Sequence, residues 1–166
     1  MSRAWPGETA LRVAIAVVAI AGLAVSGYLT AVRYSGGDPA CVVGGGCTTV
    51  QESEYSELAG IPVAVLGLVA YAALLVAAIL PGPAGRALGL FTALVGVGFS
   101  AWLTYAELVL IEAICAWCVA SAVLITLALI LTAARAARAG GGPEGTARRS
   151  APDPSPQGPS PPATPG

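Results

Sequence analysis

The chain has 166 residues, 56% of them hydrophobic and only 10% charged, with a net charge of −1 and no histidine. A soluble domain carries roughly 25% charged residues, so this chain has too few to cover a water-facing surface, and a bilayer solvent explains the deficit. Near-neutrality without a basic face argues against nucleic-acid binding. The missing histidine removes the commonest general base and metal ligand and leaves cysteine as the carrier of chemistry.

In chain order, the first apolar run is Leu11 to Val32, with one charge, Arg12. Its rival reading is a signal peptide cut after Ala24-Val25-Ser26, although the run exceeds the ~7–15 residues of an ordinary signal core. A loop from Arg33 to Gly60 follows and holds Cys41 and Cys47 in PACVVGGGCTTVQ. Within it, Thr48 to Leu58 reads either as a short amphipathic lid helix or as a polar loop. The second run is Ile61 to Leu80, with Pro62 in a first-turn position and Pro81-Gly82-Pro83 turning into the third run, Ala87 to Leu110. A short link around Glu112 leads to the fourth run, Ile114 to Ala134, with Cys115 and Cys118 at its start. Each run is long enough to cross a core of about 30 Å as a helix rising ~1.5 Å per residue. The expected fold is therefore an all-α membrane protein, a bundle of four transmembrane helices over residues 1–138. The Gly/Pro/Ser-rich segment 139–166 reads as a disordered tail.

All the basic residues are arginine. With four spans, Arg3, Arg12, Arg86, Arg135, Arg138, Arg148 and Arg149 fall on one side and Arg33 on the other. The positive-inside rule then puts both termini in the cytoplasm of a multi-pass plasma-membrane protein. The cysteines lie at the extracytoplasmic face, where disulfides are permitted.

Four cysteines allow three pairings, and the residues alone do not choose among them. Cys115 and Cys118 are one helical turn apart, near a helix N-terminus that stabilises a thiolate. Cys41 and Cys47 flank Val42-Val43-Gly44-Gly45-Gly46, whose glycines let a sulfur move between two sites. The readings are redox-active pairs, static disulfide staples, or a tetrahedral zinc site.

Cys41-x5-Cys47, Ser53, the GIPV at Gly60 to Val63 and Cys115-Ala-Trp-Cys118 together resemble the vitamin K epoxide reductase family in its bacterial form, over roughly Ser26 to Ser121. The DsbB-like thiol oxidases place their C-x-x-C pair early and their loop pair later, the reverse of this chain. The resemblance implies a four-helix bundle around a quinone (menaquinone or ubiquinone), capped on the extracytoplasmic side by the first loop. It implies that Cys118 faces the quinone, that Cys115 resolves that bond and exchanges with Cys47, and that Cys41 meets the partner first. Ser53 matches a position that carries a hydroxyl near the quinone carbonyl. Some relatives carry a fused thioredoxin-like domain; here a separate DsbA-like thioredoxin-fold partner outside the cytoplasm is implied. Ala122 stands where animal enzymes carry a tyrosine, which favours a respiratory quinone over vitamin K epoxide as substrate.

The expected activity is that of a membrane thiol:quinone oxidoreductase supporting disulfide formation outside the cytoplasm. A non-enzymatic scaffold with structural disulfides is the alternative. A transporter is disfavoured, because no inverted repeat and no mid-membrane charge stands out. Candidate lining residues for the quinone pocket are Val65, Leu66, Tyr71, Trp102, Tyr105 and Trp117, which also read as interfacial anchors or lipid-facing positions. Glu107 and Glu112 read either as a proton relay or as solvated carboxylates.

Overall fold

The computed structural model describes residues 6–41 and 46–140. Arg3, Arg148, Arg149, the glycines Gly44 and Gly45, and the tail beyond Gly140 lie outside the described residues. Among the described residues, four long helices dominate: α1 (Pro6–Ser35), α3 (Val63–Ile79), α4 (Gly82–Tyr105) and α5 (Ala116–Gly140). A short helix, α2 (Cys47–Glu52), lies between α1 and α3. In an apolar solvent every backbone group must be satisfied internally, which drives such runs into helix.

Segments Gly7–Ser35, Gly82–Ile111 and Ala116–Arg138 are long and apolar enough to cross a bilayer, and the protein is a membrane protein. Helix α3 is as apolar but has 17 residues, about 25 Å of helix. Where a span from Ile61 to Leu80 was expected, Ile61 and Pro62 are instead in a strand, and Leu80 caps the helix end.

The helices form a ring in which α1 touches α3 and α5, and α4 touches the same two from the other side. Their shared core is built from Ala19, Tyr71, Leu74, Ala93, Ile125 and Ala128. Small residues dominate it, because helix packing in lipid rests on close backbone approach rather than on expulsion of water. Gly22 is one such place: the Tyr71 ring occupies the space that a Cβ there would need. The outward faces expose large apolar side chains such as Val13, Val17 and Ile20, the pattern of helices facing lipid. Helix α1 runs unbroken through Ala24-Val25-Ser26, and Ser26 is buried against the bundle.

Two arginines cap the C-terminal end of α3. Arg12 donates to the carbonyls of Ala78 and Ile79. Arg135, only 1% exposed, donates to Ala77 O at 2.8 Å, to Leu80 O at 3.1 Å and to Glu8 Oε1 at 2.9 Å. The carbonyls that a helix end leaves without partners are thus met by guanidinium forks.

The connections differ from the sequence expectation in detail. Gly82 and Pro83 belong to the first turn of α4, not to a free turn. A single lid helix over Thr48 to Leu58 does not form. Helix α2 stops at Ser53, whose ψ of 153° is extended, a 3-10 turn follows over Glu54–Ser56, and β1 (Glu57–Leu58) pairs antiparallel with β2 (Ile61–Pro62). Ala59 and Gly60 make the turn at φ +53° and +79°, the positive pair of a tight hairpin. Arg33 at the end of α1 holds this segment through Glu57 at 2.6 Å.

Candidate functional site

Cys115 precedes α5, and its carbonyl accepts the Val119 N–H at 3.0 Å, so it is the N-terminal cap. A cap side chain lies where the free N–H groups of the first turn point. The thiol of Cys115 is accordingly pushed down to about 7. The largest cause is the hydrogen bond from the Cys118 thiol. The backbone N–H groups of Cys118 and Trp117 add to it, while burial and the charge of Glu107 oppose it. Cys115 is fully buried; Cys118, one turn further, is partly exposed and lines a cavity.

The end of α4 supplies the neighbouring carboxylate. From Ala106 to Ile111 the chain follows a π-helical turn and stops at Glu112, which takes a left-handed φ of +54°. The Glu107 carbonyl accepts the Ala113 N–H at 3.0 Å and closes this turn. The Glu107 side chain is only 5% exposed, and its Oε2 accepts the Cys115 N–H at 3.3 Å. The structure thus separates two glutamates that read alike in sequence: Glu107 is buried in the site and Glu112 is exposed.

Cys41 and Cys47 are disulfide-bonded, with Cα atoms 5.9 Å apart, and Cys115 and Cys118 are free. Cys47 opens α2 and is fully buried in one apolar cluster with Val50 and Cys115; Cys41 and Cys118 pack against its edge. Gly46 allows this contact. A Cβ there would stand 2.7 Å from Ile114 O and 2.9 Å from Ile114 N, and backbone atoms cannot move aside. The loop segment leading to Cys41 is held at Ala40. Its N–H donates to Tyr28 Oη at 2.8 Å, and its carbonyl accepts Trp117 Nε1–H at 2.9 Å. The Tyr28 and Trp117 rings pack 4.9 Å apart beneath it. Trp117, a candidate for the quinone pocket, clamps the loop through its bond to Ala40.

A cavity of about 500 Å³ opens between the helices beside Cys118, inside the range of roughly 300–1,000 Å³ of small-molecule sites. Of the residues expected around it, Ser53, Leu66, Tyr71 and Cys118 line it; Val65, Trp102, Tyr105 and Trp117 do not. Trp102 and Tyr105 are half exposed and pack on each other, centroids 5.9 Å apart, on the outer flank of α4. The face of α4 that lines the cavity carries Phe91, Val95, Phe99 and Leu103 instead. Their spacing of four residues was visible in the sequence; which stripe turns inward was not.

The Ser53 hydroxyl donates to Val50 O at 2.7 Å, so it must rotate to donate into the cavity. Tyr71 Oη donates to Ser121 O at 2.9 Å and lies 3.0 Å from Ser121 Oγ. Mostly apolar walls with a thiol, several hydroxyls and a carboxyl group suit a flat quinone ring. Among the described residues, no three Cys, Asp or Glu side chains gather as a metal-ligand cluster.

The sequence model described as the vitamin K epoxide reductase family matches residues 13–133. A comparison with curated proteins finds no match. The matched stretch takes in all four cysteines, the buried contact between loop and α5, and the cavity beside Cys118. The chain belongs to the vitamin K epoxide reductase family, which makes it a membrane thiol oxidoreductase.

Proposed function

We propose that the protein reoxidises a DsbA-like thioredoxin-fold partner outside the cytoplasm and passes the electrons to a membrane quinone. The observation that carries this reading is the placement of the sulfurs. Cys41 is partly exposed, Cys47 and Cys115 share one buried cluster, and Cys118 lines the cavity. That is a relay from the loop surface to a ligand site.

A partner thiolate attacks Cys41 Sγ, the only loop sulfur it can reach, and Cys47 leaves as a thiolate. A second partner thiolate releases Cys41 and closes the partner's disulfide. Cys47 then attacks Sγ of Cys115 in a Cys115–Cys118 disulfide, and Cys118 leaves. Cys41 resolves the mixed bond by attacking Cys47, which frees Cys115. The product has Cys41–Cys47 closed and Cys115 and Cys118 reduced. Cys115, ionised near neutral pH, then bonds to Cys118 as the Cys118 thiol gives up its proton and two electrons pass to an acceptor, which restores their disulfide. Leu66, Tyr71, Phe99 and Ser53 would hold a quinone in the cavity, and it would supply the two-electron acceptor. A sink of that kind is needed, because a DsbA-type partner sits at roughly −120 mV.

The charge bias, together with four helices in a ring, supports four crossings with both termini in the cytoplasm and the loop of Cys41 and Cys47 outside. On this reading α3 crosses with the aid of its flanking apolar residues. The experiment uses purified protein in detergent, a reduced DsbA-like dithiol and a soluble quinone analogue. We expect quinone reduction by the wild type and none by Cys118→Ala. Cys41→Ala should oxidise the protein partner slowly but still serve a small dithiol. Absence of quinone reduction with every dithiol would overturn the reading and leave a scaffold with structural cysteines.

A further inference from the structure

We infer that Glu107 is a catalytic proton carrier, taking the proton of the Cys118 thiol as the Cys115–Cys118 disulfide forms and giving it to the reduced quinone. The inference rests on the thiol:quinone reading above and adds to it the path of the proton. Glu107 is the only carboxylate among the cavity-lining residues, and no arginine lines the cavity with it. Its titratable neighbours on the cavity wall are Cys118 of α5, Tyr71 of α3 and Tyr55 of the loop, and Cys115, just before α5, meets it from behind the wall. Its carboxyl group accepts the Cys115 N–H at 3.3 Å, and the Cys118 thiol lines the same cavity.

Two features argue against a solvated bystander. The side chain is 5% exposed with no cationic partner in the cavity, and a carboxylate in such a place is costly unless it has a use. The helix also departs from α geometry at this point, and π-helical turns inside α-helices concentrate at functional sites.

The balance is simple. Cys115 enters as a thiolate, Cys118 as a thiol and Glu107 as a carboxylate. The S–S bond forms, the Cys118 S–H bond breaks, its proton moves to Glu107, and two electrons go to the quinone. Glu107 then hands over that proton, the second proton of the quinol comes from water, and the carboxylate is restored.

Glu107→Gln separates this role from a structural one, because the amide oxygen still accepts the Cys115 N–H but the side chain carries no acidic proton. We expect quinone reduction to fall roughly 10²-fold, the scale of a lost general acid, with part of the rate kept by Glu107→Asp. The second readout needs no quinone. Redox-difference infrared spectra of quinone-free protein, poised with a soluble dithiol–disulfide couple, should show an S–H band lost and a carboxyl band changed on oxidation, because the thiolate charge beside Glu107 disappears. The carboxyl band should vanish in Glu107→Gln. A wild-type rate in Glu107→Gln, or a difference spectrum without the carboxyl band in the wild type, would overturn the inference. Failure of the wild type itself to reduce quinone while oxidising its partner would instead remove the parent reading.

Discussion

At the scale of single residues, the chemistry turns on how α5 begins. A thiol as N-terminal cap sits among donors, and Cys115 is pushed down to about 7 by the Cys118 thiol and the first-turn N–H groups. An acid is ionised above its pKa, so the Cys115 thiolate fraction is near full at pH 8 and falls about tenfold per unit well below 7. Thiolate ultraviolet absorbance of the reduced protein should therefore rise with a midpoint near 7, against roughly 8.5 for a free cysteine, and Cys115→Ser should abolish that phase. Re-formation of the Cys115–Cys118 disulfide should slow in parallel as the pH drops below that midpoint. The cysteines were legible in the sequence because their reactivity belongs to the residue type and the C-x-x-C spacing. Glu107 and Glu112 were not separable, because five residues of helix register decide which one is buried, and the π turn changes that register.

At the scale of elements, the proposed exchange between the two pairs would run through the contact between α2 and the start of α5. Gly46 lies against backbone atoms of Ile114, so Gly46→Ala must push Cys47 away from Cys115. A misplacement of about 1 Å can cost roughly 10²-fold in a positioned reaction. Partner oxidation should drop toward that factor in single-turnover mixing, while a small permeant dithiol still feeds Cys115 and Cys118. Tyr71 ties α3 to α5 through Ser121, one turn beyond Cys118. Tyr71→Phe should lower stability in detergent by about 0.6 kcal/mol, the mean for interhelical hydrogen bonds in membranes, read as a small fall in thermal midpoint. The segment Thr48 to Leu58, open in sequence between a lid helix and a polar loop, shows where sequence reading stopped short. Its amphipathic pattern was real for Cys47–Glu52, but the extended backbone at Ser53 and the hairpin at Ala59-Gly60 are held by pairing and by Arg33, which a helical periodicity cannot reveal.

At the scale of the molecule, one end of the ring is locked by a buried cation. Arg135 is shared between the C-terminal carbonyls of α3 and Glu8 of α1. Removing one partner of a buried ion pair costs about 3–5 kcal/mol. Arg135→Met should therefore unfold at markedly lower temperature, and Arg135→Lys should recover only part of the loss, since an ammonium lacks the guanidinium fork. The opposite end carries the loop, the cysteines and the mouth of the site. With four crossings, a cysteine placed at Asp38 in a cysteine-free background should react with an impermeant maleimide in intact cells. One placed at Arg138 should react only after the cells are opened. The reverse pattern would invert the proposed orientation.

The sequence by itself determined the class of solvent, the apolar runs and the residues able to do redox chemistry. These follow from composition, run length and residue type, which are local properties. Its motifs also pointed to the family that residues 13–133 match. Only the tertiary structure decided that Cys47 meets Cys115 in a closed cluster, that Trp117 grips Ala40 rather than lining the cavity, and that Phe99 rather than Trp102 faces it. Those outcomes depend on the rotation of each helix about its own axis and on contacts between residues far apart in the chain. In a nearly uniform apolar run both faces look alike in sequence, so packing alone breaks the tie.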